Sequence, residues 1–227
     1  MGNGKSMSAV VTGAYGFIGQ HLVKRLIQLD TKVAPIGLRH TAEYFRAALS
    51  TADTVYHLAG VNRPQTDVEF ESGNVNPVLS LCARLKELGR TPEIVMTSSV
   101  HAVLDTPYGL SKRHAEQALL RVYPEARILR LKNVFGKGSR PYYNGVVATF
   151  CYNISHCIPI QVSSPDRALE LVYVDDVISA LIDPAIIIPS VSIMLGELAD
   201  RIRSFQGKFD IQSQFDQRLY ATYLSYI

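Results

Sequence analysis

Apolar positions follow one rhythm over residues 8–131 and another beyond them. Short apolar or β-branched runs at 8–12, 32–38, 54–58, 93–97 and 127–131 predict strands. Pro35 lies within the second run and weakens it as a strand. The stretches between them carry helical spacing: Ile18, Leu22, Leu26 and Leu29 predict a helix over 17–30, and further helices are expected over 42–49, 74–88 and 107–123. Gly89 is a natural stop for the third helix, and Thr106-Pro107 reads as an N-cap followed by proline in the first turn of the fourth. Strand and helix alternating in this way imply an α/β fold, a Rossmann-like doubly wound parallel sheet with helices on both faces. With only about five strands available, a compact version is expected.

After Asn133 the rhythm breaks. Gly136, Gly138, Pro141 and Gly145 mark a loop, and a helix is predicted over 146–156. Short strands are expected at 161–162, 170–173 and 192–194, with helices over 176–182 and 196–205. The organisation read from this is a tag or disordered start over 1–7, a dinucleotide-binding domain over 8–132, and a small substrate-binding region over 133–227.

Composition narrows the function classes. A chain of 227 residues with 47% hydrophobic content has enough apolar surface for one buried core plus an appendage. The net charge is +3 with no basic run, so no nucleic-acid partner is expected. No apolar run reaches membrane-spanning length, so no membrane partner is expected either. Three cysteines, an odd and sparse set, point to a reducing, cytoplasmic setting. Cys151, His156 and Cys157 are close in sequence but lack a second ligand cluster, so no metal is expected.

The densest chemical signal is Thr12-Gly13-Ala14-Tyr15-Gly16-Phe17-Ile18-Gly19, between the first strand and the first helix. Its glycines permit a tight turn, close approach of backbone to a pyrophosphate, and close packing of helix on strand. Free N–H groups and the positive end of the helix dipole then meet the phosphates. Gly13, Tyr15, Gly16, Phe17, Ile18 and Gly19 are therefore candidate cofactor contacts, joined by Leu58, Ala59, Gly60 and Leu131 at the ends of later strands. An acidic residue closing the second strand would select NAD(H). Here that strand runs into Arg39 and His40, with no acid before Glu43, so NADP(H) is favoured over NAD(H).

Tyr108 and Lys112 stand four apart on a predicted helix and share a face. A phenol titrates near 10, and a neighbouring ammonium is expected to lower that value and make Tyr108 a usable acid or base. Lys112 is also a candidate for holding the nicotinamide ribose. Ser99, at the carboxyl edge of the sheet, can bond a substrate carbonyl or hydroxyl, and His101 follows close behind it. Tyr-x-x-x-Lys alone is common by chance; its place one helix after Ser98-Ser99 gives it weight.

The glycine run with Ser99, Tyr108 and Lys112 resembles the extended short-chain dehydrogenase/reductase superfamily, in its NAD-dependent epimerase/dehydratase branch. His57-Leu58-Ala59-Gly60, Asn133-Val134-Phe135-Gly136 and Tyr173-Val174-Asp175-Asp176 fall where that branch has similar segments. Within it, the segments starting at His57, Gly73, Phe135, Tyr143, Ala148 and Tyr223 resemble the CapF family of capsular polysaccharide synthesis enzymes. That resemblance implies NADPH-dependent reduction of the C4 ketone of a UDP-2-acetamido-2,6-dideoxy-4-hexulose. Asn62, Arg63, His101, Asn133, Asn144 and Arg167 become candidate contacts to the UDP-sugar. It further implies a homodimer, and a C-terminal cupin domain that epimerises C3 beforehand and would begin where this chain stops.

The chain departs from the wider branch in three places. Leu169 stands where a phosphate-holding Arg is usual, leaving Arg167 as the substitute. The interval before His57 is too short for the usual extra strand and adenine-side acid, and the Ser99–Tyr108 loop is short. Epimerase or dehydratase chemistry is the near rival, although Val100 and His101 replace the acidic pair that dehydration needs. A non-catalytic NADP(H)-sensing regulator is the rival of another class; retention of Tyr108 and Lys112 argues for an enzyme.

Overall fold

The structure, a computed structural model, describes residues 7–207 and 210–227. Most of the expected start at 1–7 therefore lies outside the described residues, and Met7 is exposed. The chain forms two compact units, one ending at Leu131 and one running from Lys132 to Ile227.

The first unit alternates β1 (Ser8–Thr12), α1 (Phe17–Gln28), β2 (Lys32–Ile36), α2 (Ala42–Thr51), β3 (Thr54–His57), α3 (Val68–Glu87), β4 (Glu93–Ser99), α4 (Pro107–Val122) and β5 (Arg127–Leu131). A 3-10 turn, Val100–Val103, follows β4. All five strands pair in parallel, in the order β2-β1-β3-β4-β5. The central strands are buried on both faces, hence their continuous apolar runs. Their side chains join Leu49, Val78, Leu81, Leu85 and Leu119 from the helices in one core. The order reverses direction between β1 and β3, which opens a crevice at the carboxyl ends of those strands. Pro35 pairs opposite Val11 on edge strand β2, where a missing donor is tolerated.

In the first unit α2 runs two residues past its predicted end, and α3 and β4 also exceed their predicted spans. α3 begins at Val68 rather than 74, because its first turns carry Val68, Glu69 and Glu71 in exposed positions and present no apolar stripe to read. β4 continues through Ser98 and Ser99, whose backbones pair with Arg130 and Leu131. The short interval before β3 holds α2 alone, capped by the Thr41 hydroxyl, which accepts from the Tyr44 N–H at 3.2 Å.

The second unit holds a mixed sheet, β6 (Asn133–Phe135), β7 (Ala168–Tyr173) and β8 (Val191–Met194). β6 runs parallel to β7, and β8 antiparallel. α5 (Val146–Ser155), α6 (Val174–Ile182), α7 (Leu195–Ser204) and α8 (Gln214–Leu224) complete it. The strand expected at 161–162 is coil: Val162 packs against the core as a strand residue would, but its backbone joins no ladder. α8 has no counterpart among the expected helices, because its apolar stripe, buried Leu219 and Tyr223 with half-buried Phe215, is short and mostly aromatic. Among the described residues no helix is long and apolar enough to cross a membrane.

Candidate active site

The site begins at the turn from β1 into α1. Gly13 has φ +67°, and a Cβ there would lie 2.7 Å from the Ala59 nitrogen. A Cβ on Gly19 would fall 2.1 Å from the Gly13 carbonyl oxygen. Both positions require glycine, the first for conformation as well as space. The turn closes with the Gly16 N–H donating to the Gly13 carbonyl at 3.0 Å. Gly16 is the N-cap of α1, no side chain caps that helix, and its first turn carries no acid. Its free N–H groups and dipole are those that would hold a pyrophosphate.

At the end of β2, Arg39 is exposed in a turn beside fully exposed Leu38. His40 accepts the Gly37 N–H at 3.0 Å through Nδ1 and stacks between Tyr15 (5.9 Å) and Tyr44 (4.9 Å). Gly37 has no side chain because the Tyr15 ring occupies that space: a Cβ would lie 2.6 Å from it.

β3 ends at His57, which is fully buried. Thr12 Oγ1 lies 3.0 Å from His57 Nδ1 and accepts the Ala59 N–H at 3.3 Å, joining the ends of β1 and β3. His57 Nε2 is buried without a hydrogen-bond partner, so the histidine is satisfied at Nδ1 alone. Burial, and then the charge on Lys112, pull its pKa down to about 4, which keeps it neutral. Leu58, Ala59 and Gly60 follow in extended coil, and Asn62 and Arg63 are exposed in the loop leading to α3.

Ser99 closes β4, buried, opposite Leu131 at the end of β5. Its Oγ accepts the His101 N–H at 3.2 Å. Tyr108 lies in the first turn of α4, half-buried between Phe70 (ring centroids 5.6 Å apart) and exposed His101 (6.1 Å). Gly109 lets that turn sit on the 3-10 segment, since a Cβ would be 2.4 Å from the His101 and Leu104 carbonyl oxygens. Lys112 Nζ stands 6.0 Å from the Tyr108 ring centroid.

The electrostatics correct one expectation. Burial pushes the Tyr108 phenol above its ordinary value, while a hydrogen bond with Ser99 pulls the other way. The expected lowering by the Lys112 ammonium does not decide the balance. Lys112 itself is brought down to about 8, by burial and against the opposing pull of Glu116.

Asn74 was not singled out from the sequence. Buried on α3, it accepts the Val61 N–H at 3.0 Å and donates to the Val61 carbonyl at 2.8 Å. It also donates to Ser111 Oγ at 3.0 Å, and Ser111 donates to the Tyr108 carbonyl at 2.8 Å. One amide thus ties the segment after β3 to the helix that carries Tyr108 and Lys112. The signals for it are an asparagine at an apolar helix position and its place in the segment starting at Gly73.

The sugar-side candidates of the second unit are spread over its elements. Asn133 opens β6 and donates to the Glu170 carbonyl at 3.1 Å. Asn144 is exposed in the turn before α5. Arg167 is exposed in coil, while Leu169 is buried in the core and so holds no phosphate. Cys82 and Cys151 are buried and Cys157 is exposed, and among the described residues no three His, Cys, Asp or Glu side chains gather as a metal site.

Comparison with known proteins gives the family. The profile of the NAD dependent epimerase/dehydratase family matches residues 9–183. The chain belongs to that family. A curated UDP-2-acetamido-2,6-beta-L-arabino-hexul-4-ose reductase from Pseudomonas aeruginosa is 36% identical over 97% of this chain and 65% of its own length. The crystal structure of the capsular polysaccharide assembling protein CapF from Staphylococcus aureus superposes with a TM-score of 0.86 at 34% identity, over 97% of this chain and 66% of that one. This chain thus spans just under two thirds of both relatives. UDP-glucose 4-epimerase from Thermotoga maritima, at 19% identity and a TM-score of 0.81, shares the fold.

Proposed function

We propose that this family member reduces the C4 ketone of a UDP-2-acetamido-2,6-dideoxy-4-hexulose with NADPH, in the supply of an N-acetyl-L-fucosamine precursor for capsule or O-antigen. The observation that carries the reading is the grouping of Ser99, Tyr108 and Lys112 at the carboxyl edge of the sheet, beside the Gly13–Gly19 turn. The reductase name of the Pseudomonas relative and the CapF likeness support the substrate class.

The residues present fit a dinucleotide. The uncapped N-terminus of α1 suits its pyrophosphate. Arg39, exposed at the end of β2 where an NAD-selecting acid would stand, suits a 2′-phosphate. Gly60 keeps space open beside Lys112 Nζ, which a Cβ there would approach to 3.0 Å, and suits the ribose. When bound, the dinucleotide supplies the hydride. Tyr108 gives its phenolic proton to the C4 oxygen, Ser99 orients that oxygen, and Lys112 stabilises the phenolate left behind. A phenol raised by burial still holds its proton at neutral pH, as a donor must. Asn133, Asn144 and Arg167 are the sugar and diphosphate contacts in this reading, and a homodimer and a partner cupin epimerase domain belong to it.

Incubation of the chain with NADPH and a pool of UDP-4-keto-6-deoxy-N-acetylhexosamines tests the proposal, by loss of the reduced-nicotinamide absorbance. Turnover that depends on Tyr108 is expected. NADPH binding without turnover would replace the reductase with a sensor.

A further inference from the structure

Tyr108, Lys112 and Glu116 stand at i, i+4 and i+8 on α4, a single line down one face of the helix. The proposed chemistry uses the first two and leaves the third unexplained. Glu116 is 5% exposed, unusual for a carboxylate, and it is not a free charge. Arg130 on β5 grips it bidentately: Nε lies 2.9 Å from Oε1 and 3.2 Å from Oε2, and Nη2 lies 2.6 Å from Oε2. The arginine is much more exposed than the carboxylate, with side-chain accessibilities of 44% and 7%. A buried anion is thus clamped from outside, one helical turn beyond Lys112.

We infer that Glu116, locked in place by Arg130, is a positioning residue that keeps the Lys112 side chain an ammonium beside Tyr108. This deepens the reductase reading, on which it rests for the identity of the proton donor. The surroundings make such a device necessary. Lys112 lies in a site whose burial disfavours its charge. The other groups facing it offer little counter-charge: Tyr108 on the same helix is a neutral phenol, His57 at the end of β3 is a neutral imidazole, and Gly60 and Asn74 carry no charge. His101 lies beyond the Tyr108 ring, and on the α3 side Glu71 faces His114 at 3.4 Å in an exposed pair. Glu116, one turn along the same face of α4, is the carboxylate placed to raise Lys112. Arg130 does two things at once: it holds the carboxylate at i+4 and neutralises part of its field.

The arrangement predicts opposite responses to its two halves. Removing the carboxylate charge lowers the Lys112 titration midpoint, and removing the arginine charge while Glu116 stays ionised raises it. The probe is the Lys112 side chain itself in the full chain, 13Cε-labelled on lysine and followed by NMR against pH, with the resonance assigned by its loss in K112R. For E116Q the midpoint is expected about one pH unit below that of the native chain, the lower end of the shift that an opposite charge produces. For R130M it is expected to move upward. A purely structural ion pair moves neither, and unmoved midpoints, or both moving the same way, overturn the inference. If E116Q does not fold, R130M decides alone, with the Glu116 carboxyl 13Cδ-labelled and read in the same titration: with the carboxylate ionised an upward shift of the Lys112 midpoint supports the assignment and an unchanged or lower one overturns it, and with the carboxyl protonated a lower midpoint supports it and an unchanged or higher one overturns it. Failure of the native chain to turn over any UDP-4-ketosugar, with the midpoints shifting as stated, would defeat the reductase reading and leave the charge assignment standing. Turnover with unmoved midpoints would do the reverse.

Discussion

The two units of this chain use ion pairs for different ends. In the first, the bidentate Arg130–Glu116 pair lies along the helix face that carries Tyr108 and Lys112, and the sheet packs through long apolar strands. In the second, ion pairs do work that strands do elsewhere. Arg218 grips Asp176 with both oxygens at 2.7 Å and covers the Tyr173 ring at 4.9 Å, fastening α8 to α6. Arg201 reaches buried Asp216 at 2.7 Å and Glu197 at 3.0 Å, fastening α8 to α7. A regular parallel sheet presents its functional groups at strand ends, whereas a small mixed sheet needs side-chain clamps to hold its last helix.

Four measurements sharpen or break this contrast. The largest effect belongs to Tyr108→Phe, which is expected to lower kcat about a hundredfold to ten-thousandfold while leaving thermal stability and NADPH affinity close to native. Retained turnover would remove Tyr108 from the chemistry. Next, Asp216→Ala leaves the Arg201 guanidinium without its main partner, and is expected to destabilise the second unit by about 2 kcal/mol in denaturant unfolding. Fluorescence titration of NADPH, a readout of the first unit, is expected to be unmoved by it; equal damage to both would deny the separation. Burial would raise the Asp216 carboxyl, but hydrogen bonds from Ser213 and Arg201 leave it below its usual range. Its contribution is therefore present above the ordinary carboxylate pKa and lost as pH falls toward the lowered folded value.

A smaller effect concerns pH. In the proposed reaction the Lys112 ammonium is needed as Tyr108 gives up its proton, so kcat/KM is expected to fall as pH rises through about 8. A profile flat to pH 10 would relieve Lys112 of that role. The smallest is Arg39→Ala, expected to reduce the preference for NADPH over NADH about tenfold without touching kcat, consistent with the loss of one exposed charge-assisted contact. An unchanged ratio of the two cofactors' KM values would show that selection lies elsewhere.

How much was legible in the sequence also differs between the units. In the first, strands buried on both faces write themselves as unbroken apolar runs, and β5 matches its predicted span at Arg127–Leu131. The glycine turn was readable because backbone clash leaves no other residue for Gly13 and Gly19. Even there, the first turns of α3 were hidden by their solvent-facing residues, and Asn74 looked like one polar residue among many. In the second unit, residues 161–162 had strand composition without a neighbouring ladder, and α8 had a stripe too short and too aromatic to stand out.

By itself, then, the sequence determined the alternation of strand and helix, the glycine turn from β1 into α1, and the placing of Tyr108 and Lys112 on one helix face, because periodicity and steric exclusion are local properties. Only the tertiary structure decided which of the polar residues are buried, that His57 is neutral and half satisfied, that burial rather than Lys112 governs Tyr108, and that Glu116 is an anion clamped from outside by Arg130. Those are matters of desolvation and charge across elements far apart in the chain, and no spacing along a single element records them.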